Sequence, residues 1–307
     1  MRRKIIQLAG KTLVVSLPSK WVKSSGVRKG DEIELIESEK GLLVAPVENK
    51  NVVKSLLDVS GLNSSLVWYY LTGAYVRGVD EIDVRFSESM ILNPRTKQLV
   101  DIVAFISDVV ASLIGMEVVR YGANFCIVKE VSELKKDEFD TVLKRLFFTV
   151  CTFAGDVITA INEKNIVALK NSVHLEKTVN RLCLFCWRVL NRGVFSNHAE
   201  VASFYSVVSL LEEIADVYAR LCALDEKVLK TAELKASLNG SAQIVKELYD
   251  IFYDFNKKKC VEFYTRCREL KEPAGKKGFV IAASIADKCL SILSARVVLS
   301  VDVRIDA

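Results

Sequence analysis

Residues 1–35, MRRKIIQLAGKTLVVSLPSKWVKSSGVRKGDEIEL, decide how the chain begins to fold. Up to Lys29 they carry eight basic side chains (Arg2, Arg3, Lys4, Lys11, Lys20, Lys23, Arg28 and Lys29) and no acidic one. Apolar alternation predicts strands over 3–7 and 12–17. Pro18 opens a short helix over 18–25, Gly26 ends it, and Lys29-Gly30-Asp31 turns the chain into strands over 32–37 and 41–45. A unit as short as residues 1–48 buries too little apolar surface to stand alone. Intertwined pairing with a second copy of the chain is the expected remedy.

Beyond this head the charge balance changes. The whole chain of 307 residues is half apolar and carries a formal +5, yet residues 1–50 alone hold ten Lys and Arg against six Asp and Glu. The remainder is almost neutral, so attraction to a polyanion is concentrated at the N-terminal end. Eight cysteines lie scattered in apolar segments without the spacing of a disulfide framework, which predicts free buried thiols. With charged residues where a secretory signal needs an apolar run, a cytoplasmic protein is expected. Residues 99–119 and 280–301 approach membrane length. The first contains Asp101, Asp108 and Glu117, the second Asp287, Lys288 and Arg296, so buried helices are expected and no membrane insertion.

Residues 50–131 alternate in type: helix 63–77, strand 81–86, a helix over 95–114 opened by Pro94, and strands 116–121 and 125–131. This αβαββ order predicts an α+β unit with helices covering a sheet. Residues 133–307 then read as long amphipathic helices, 135–163, 166–192, 198–224, 228–257, 258–271 and 277–297, forming a bundle. The closing run RVVLSVDVRIDA is β-branched enough to suggest a terminal strand. An internal echo links LLEEIADVYARL (210–221) to IAASIADKCLSI (281–292), each in the third helix of a three-helix group, as a duplicated unit would have it.

The head, with Gly10, the strand through Leu13 and Val15, Leu17-Pro18, Gly26 and Gly30-Asp31, resembles the AbrB-like (SpoVT/MazE) swapped-hairpin family. The resemblance implies a homodimer in which each chain completes the other's small β barrel. It also implies DNA contact by the eight basic residues, which would displace condensed counterions from phosphates, with Arg able to read guanine or a narrow minor groove. A solvated basic face is the bland alternative.

The helical part resembles PhoU-like phosphate-regulatory proteins, through Leu211-Glu212-Glu213-Ile214-Ala215-Asp216 as an E-x-x-x-D string. Glu212 and Asp216 share one helix face, and the resemblance implies a divalent metal or iron there. Glu176 with Asn180 is a weaker pair of the same spacing, and Asp287 is retained in the second copy where Ala283 stands four residues earlier. An ordinary helix pair would account for any of these. Cys183 and Cys186 form a C-x-x-C inside an apolar helix with no second pair, and His174 and His198 are the only histidines, so packing is favoured over zinc. No nucleotide-binding loop, H-E-x-x-H or nucleophile elbow is present, and no enzymatic activity is expected. The order of domains resembles archaeal phosphate uptake regulators. That likeness implies a DNA-binding regulator whose bundle senses phosphate status. The alternative is an adaptor docking on phosphate-transporter components, its head serving only to dimerise.

Overall fold

The computed structural model describes residues 2–8, 10–38, 41–46, 52–132, 136–193, 195, 197–224, 232–271 and 277–301. The chain divides at Asn51 and Val52 into two compact units.

In the first unit the alternating residues pair β1 (Ile5–Leu8) with β2 (Thr12–Val15), Ile5 opposite Val15 and Gln7 opposite Leu13. Gly10 takes φ +78° in the connecting turn, a conformation open to glycine, and its carbonyl accepts a hydrogen bond from Gln7 Nε2 at 2.8 Å. The short helix α1 (Ser19–Ser24) starts directly after Pro18. A second hairpin pairs β3 (Ile33–Ser38) with β4 (Gly41–Pro46). The two hairpins remain separate two-stranded sheets.

The second unit opens with β5 (Lys54–Asp58), α2 (Ser64–Val76) and β6 (Glu81–Arg85). The crossover through α2 brings β5 parallel to β6, as such a connection permits. Next come β7 (Met90–Asn93), β8 (Gln98–Asp101), α3 (Ile102–Ala111), β9 (Met116–Gly122) and β10 (Phe125–Glu130), giving the sheet order β5-β6-β10-β9. One sheet face packs Ile82, Val84, Cys126 and Val128 under Val67, Leu71 and Tyr75 of α2 and Ile102 and Ile106 of α3. The other face carries charge pairs, with Glu81 between Lys54 at 3.2 Å and Lys129 at 2.9 Å.

Two expectations are corrected in this unit. Strand β5 was not foreseen, and residues 95–101 are not helical: Pro94 lies in the turn of the β7–β8 hairpin. Asn93 Oδ1 accepts from the amides of Arg95 and Thr96 at 3.0 and 3.3 Å, and Lys97 takes φ +58°. The helix begins only where Asp101 caps it, accepting from Ala104 N at 2.8 Å.

The bundle consists of α4 (Lys136–Glu163), α5 (Ile166–Ser172), α6 (His174–Asn191), α7 (His198–Cys222), α8 (Ala232–Tyr253), α9 (Lys257–Glu269) and α10 (Lys277–Val298). The helix expected over 166–192 is divided at Val173. Ser172 Oγ donates to the Ala168 carbonyl at 2.9 Å and the His174 ring meets the Asn171 carbonyl, so side chains occupy acceptors of the ladder. Helices α4, α6 and α7 pack on one another, as do α8, α9 and α10, while α4–α8 and α7–α10 contacts join the triplets. Phe139, Phe147, Phe153, Phe185, Tyr218 and Phe263 fill one continuous core. Asparagines set the helix starts: Asn63, Asn165, Asn197 and Asn256 each accept a backbone amide in the first turn. No described helix is long and apolar enough to cross a membrane. The expected terminal strand falls largely on 302–307, outside the described residues; Arg296–Val298 belong to α10.

Candidate nucleic-acid interface

Every described side chain of residues 2–35 and 41–46 is exposed or only partly buried, so the described residues of the head form no core within one chain. Both faces of the β1–β2 hairpin are apolar. Ile5, Leu13 and Val15 share one face, with Leu13 66% exposed, and Ile6 and Leu8 share the other with Val14. The second hairpin adds exposed Leu35, Leu42 and Leu43. A ribbon apolar on both sides is built to lie inside a sandwich or barrel.

The eight basic residues surround these apolar strands. Arg2, Arg3 and Lys4 lead into β1, Lys11 sits in the β1–β2 turn, Lys20 and Lys23 project from α1, and Arg28 and Lys29 lie in the turn before β3. All eight are exposed, and among the described residues none has a carboxylate within ion-pair distance. Asp31, the first acid of the chain, is engaged with backbone: its Oδ2 accepts from Arg28 N at 2.7 Å and its own amide donates to Arg28 O at 3.1 Å. That closed turn fixes the backbone from which Arg28 and Lys29 project.

A family model described as Antidote-toxin recognition MazE, bacterial antitoxin, matches residues 6–51. The match covers both hairpins and α1 of what is hereafter the MazE-like head. No curated protein matches the chain.

The acidic residues singled out in the bundle lie on two packed helices, Glu176 and Asn180 on α6 and Glu212 and Asp216 on α7. Glu176 Oε1 accepts from Asn180 Nδ2 at 2.7 Å, and Asp216 is 3.9 Å from Arg220. Glu212 is pushed up to about 7 by burial first, then by the negative charge of Asp216, Glu213 and Glu176. Asp287 pairs with Lys271 instead. Among the described residues no group of three or more His, Cys, Asp and Glu is placed to hold an ion.

Cys183 and Cys186 are fully buried in the bundle core, where burial holds both thiols far above their ordinary range. Sequence reasoning passed over a different charged residue of the same helix, Arg188. Its signal was an arginine inside the apolar run RLCLFCWRVL, and it is completely buried.

Proposed function

We propose that the chain is a homodimeric, cytoplasmic DNA-binding transcription regulator. Its MazE-like heads would intertwine and present the basic residues of positions 2–29 to the phosphate backbone. The carrying observation is the combination of a head apolar on both hairpin faces with eight exposed, unpaired cations. The family match supports the coarser statement, a DNA-binding or antitoxin-type regulator. The finer statement, control of phosphate uptake with the bundle sensing phosphate status, is supported by the likeness of the 211–216 segment to PhoU-like proteins.

Fluorescence anisotropy with duplex DNA at several salt concentrations tests DNA binding. Log affinity should fall against log salt with a slope of about −0.9 per phosphate contacted, and neutralising Arg2, Arg3 and Lys11 together should weaken binding to all sequences alike. Absence of binding even at low salt would falsify the DNA role. Genome-wide mapping of bound DNA with phosphate supply varied tests the pathway, and sites unrelated to phosphate transport would remove it.

A second reading is favoured by one observation. The apolar hairpins require a partner chain whether or not DNA is bound, so the head serves dimerisation alone if the bundle docks on a phosphate-transporter component. Recovery of transporter subunits with the purified chain, together with absent operator binding, would select it.

A further inference from the structure

Helix α2, SSLVWYYLTGAYV, is apolar around its whole circumference, although only one side faces the core. Val67, Leu71, Ala74 and Tyr75 are buried against the sheet, while Leu66, Tyr69, Tyr70, Gly73 and Arg77 form the opposite stripe at helical spacing. Tyr69 and Tyr70 are 63% and 51% exposed. Along this side α2 and the edge strand β5 bound a groove of about 540 Å³, within the size range of small-molecule sites.

Three features of the groove lack a structural reason among the described residues. Gly73 sits mid-helix, where glycine is a poor choice, yet a Cβ there would meet nothing within 4 Å. Neither packing nor a left-handed backbone requires the glycine. Arg77 is exposed at the helix end and has no carboxylate partner among the described residues, whereas Lys54 on the facing strand is already paired with Glu81. Two tyrosine rings stand out into solvent beside them. Glycine lets a flat group approach the helix backbone, tyrosine rings offer faces for stacking, and an unpaired guanidinium offers a fork for an oxyanion.

We propose that this groove binds a small planar aromatic molecule carrying an anionic group, its ring over Gly73 between Tyr69 and Tyr70 and its charge on Arg77. The site also adjoins the joint with the bundle: Val79, in the groove wall, accepts a hydrogen bond from Arg188 Nη1 at 2.9 Å through its carbonyl.

The test uses the full chain and 2-naphthoate, followed by calorimetric titration, with neutral 2-naphthamide as control. Wild-type protein should bind 2-naphthoate saturably, and Arg77→Gln should weaken it about tenfold or more while leaving 2-naphthamide unchanged. Gly73→Leu should abolish binding of both. Gly73→Ala should raise the melting temperature while weakening binding, a pairing that a merely structural glycine would not give. The proposal is overturned if wild type does not bind 2-naphthoate, or if binding is indifferent to Gly73 and Arg77. It is equally overturned if Gly73→Leu, folded by circular dichroism, changes the sedimentation state and leaves binding intact, since the groove would then be a contact between copies.

Discussion

Arg188 and Asp80 lie 108 positions apart in the chain and 3.3 Å apart in the fold. Arg188 Nη1 donates to the carbonyls of Tyr75 and Val79 at 2.7 and 2.9 Å, and Nη2 also reaches Glu130 at 3.3 Å. Arg192 approaches the same two carboxylates, Asp80 at 2.9 Å and Glu130 at 2.8 Å. The guanidinium of Arg188 lies 4.8 Å from the Tyr75 ring centroid. Bundle helix α6 is thereby fastened to the end of α2 and to the sheet by a buried cation. Burial pulls the Arg188 pKa down, and the neighbouring Glu130 opposes that pull.

Arg188→Leu should therefore cost about 3–5 kcal/mol, because it strands the Val79 carbonyl, leaves the Tyr75 carbonyl with the Gly78 amide as its remaining donor at 2.9 Å, and takes one of two cations from Asp80 and Glu130. Urea denaturation followed by circular dichroism reads the loss. A change below about 1 kcal/mol would mean that water replaces the guanidinium.

Glu212 gives a pH signature. Its folded pKa, about 7, lies above the unfolded value, so the native state binds more protons in the interval between the two. Its contribution is most favourable at acidic pH and is lost as pH rises through about 7. Glu212→Gln should flatten that dependence and stabilise the protein at pH ~8 by on the order of 1 kcal/mol, discounted for partial exposure. Melting temperatures of both forms at mildly acidic and mildly alkaline pH decide it.

Gly78 follows α2 at φ +83°, and a Cβ there would come within 2.9 Å of Arg192 Cγ. Gly78→Ala should destabilise by more than about 1 kcal/mol, combining backbone strain with displacement of Arg192. Lys97→Gly is the converse case. At φ +58° in an exposed hairpin turn, it should stabilise by a few tenths up to about 1 kcal/mol. Chemical denaturation of the two variants should shift in opposite directions.

Leu13→Asp places a carboxylate on a face that the proposed dimer buries. Dimerisation should weaken by about a hundredfold or more, while the helical signal of the second unit persists. Sedimentation equilibrium measures the first effect and circular dichroism the second.

The head frame was legible because Gly10, Pro18 and Gly30 mark turns whose backbone demands are local, and the bundle because its apolar period runs for many turns. Pro94 misled because proline suits both a helix start and a turn; Asn93, which bonds two amides of that turn, was the deciding residue. Strand β5 escaped because KSLLD is short and owes its conformation to pairing with β6 across α2. The exposed cluster of eight basic residues was visible in the composition of positions 1–29, since none of them depends on a distant partner. The Arg188 joint was not, because its carboxylates and carbonyls come from positions about a hundred residues upstream or nearer, which only the tertiary fold assembles.

A head with no interior of its own ties its folding to the abundance of the protein. In the proposed dimer each additional chain raises the fraction of heads that have found a mate, whereas the bundle, with a core already complete in one chain, is indifferent to dilution. Occupancy of any target recognised through paired heads then climbs more steeply than in proportion to dose at low supply. In that dimer, synthesis and degradation of the chain become a control on its activity.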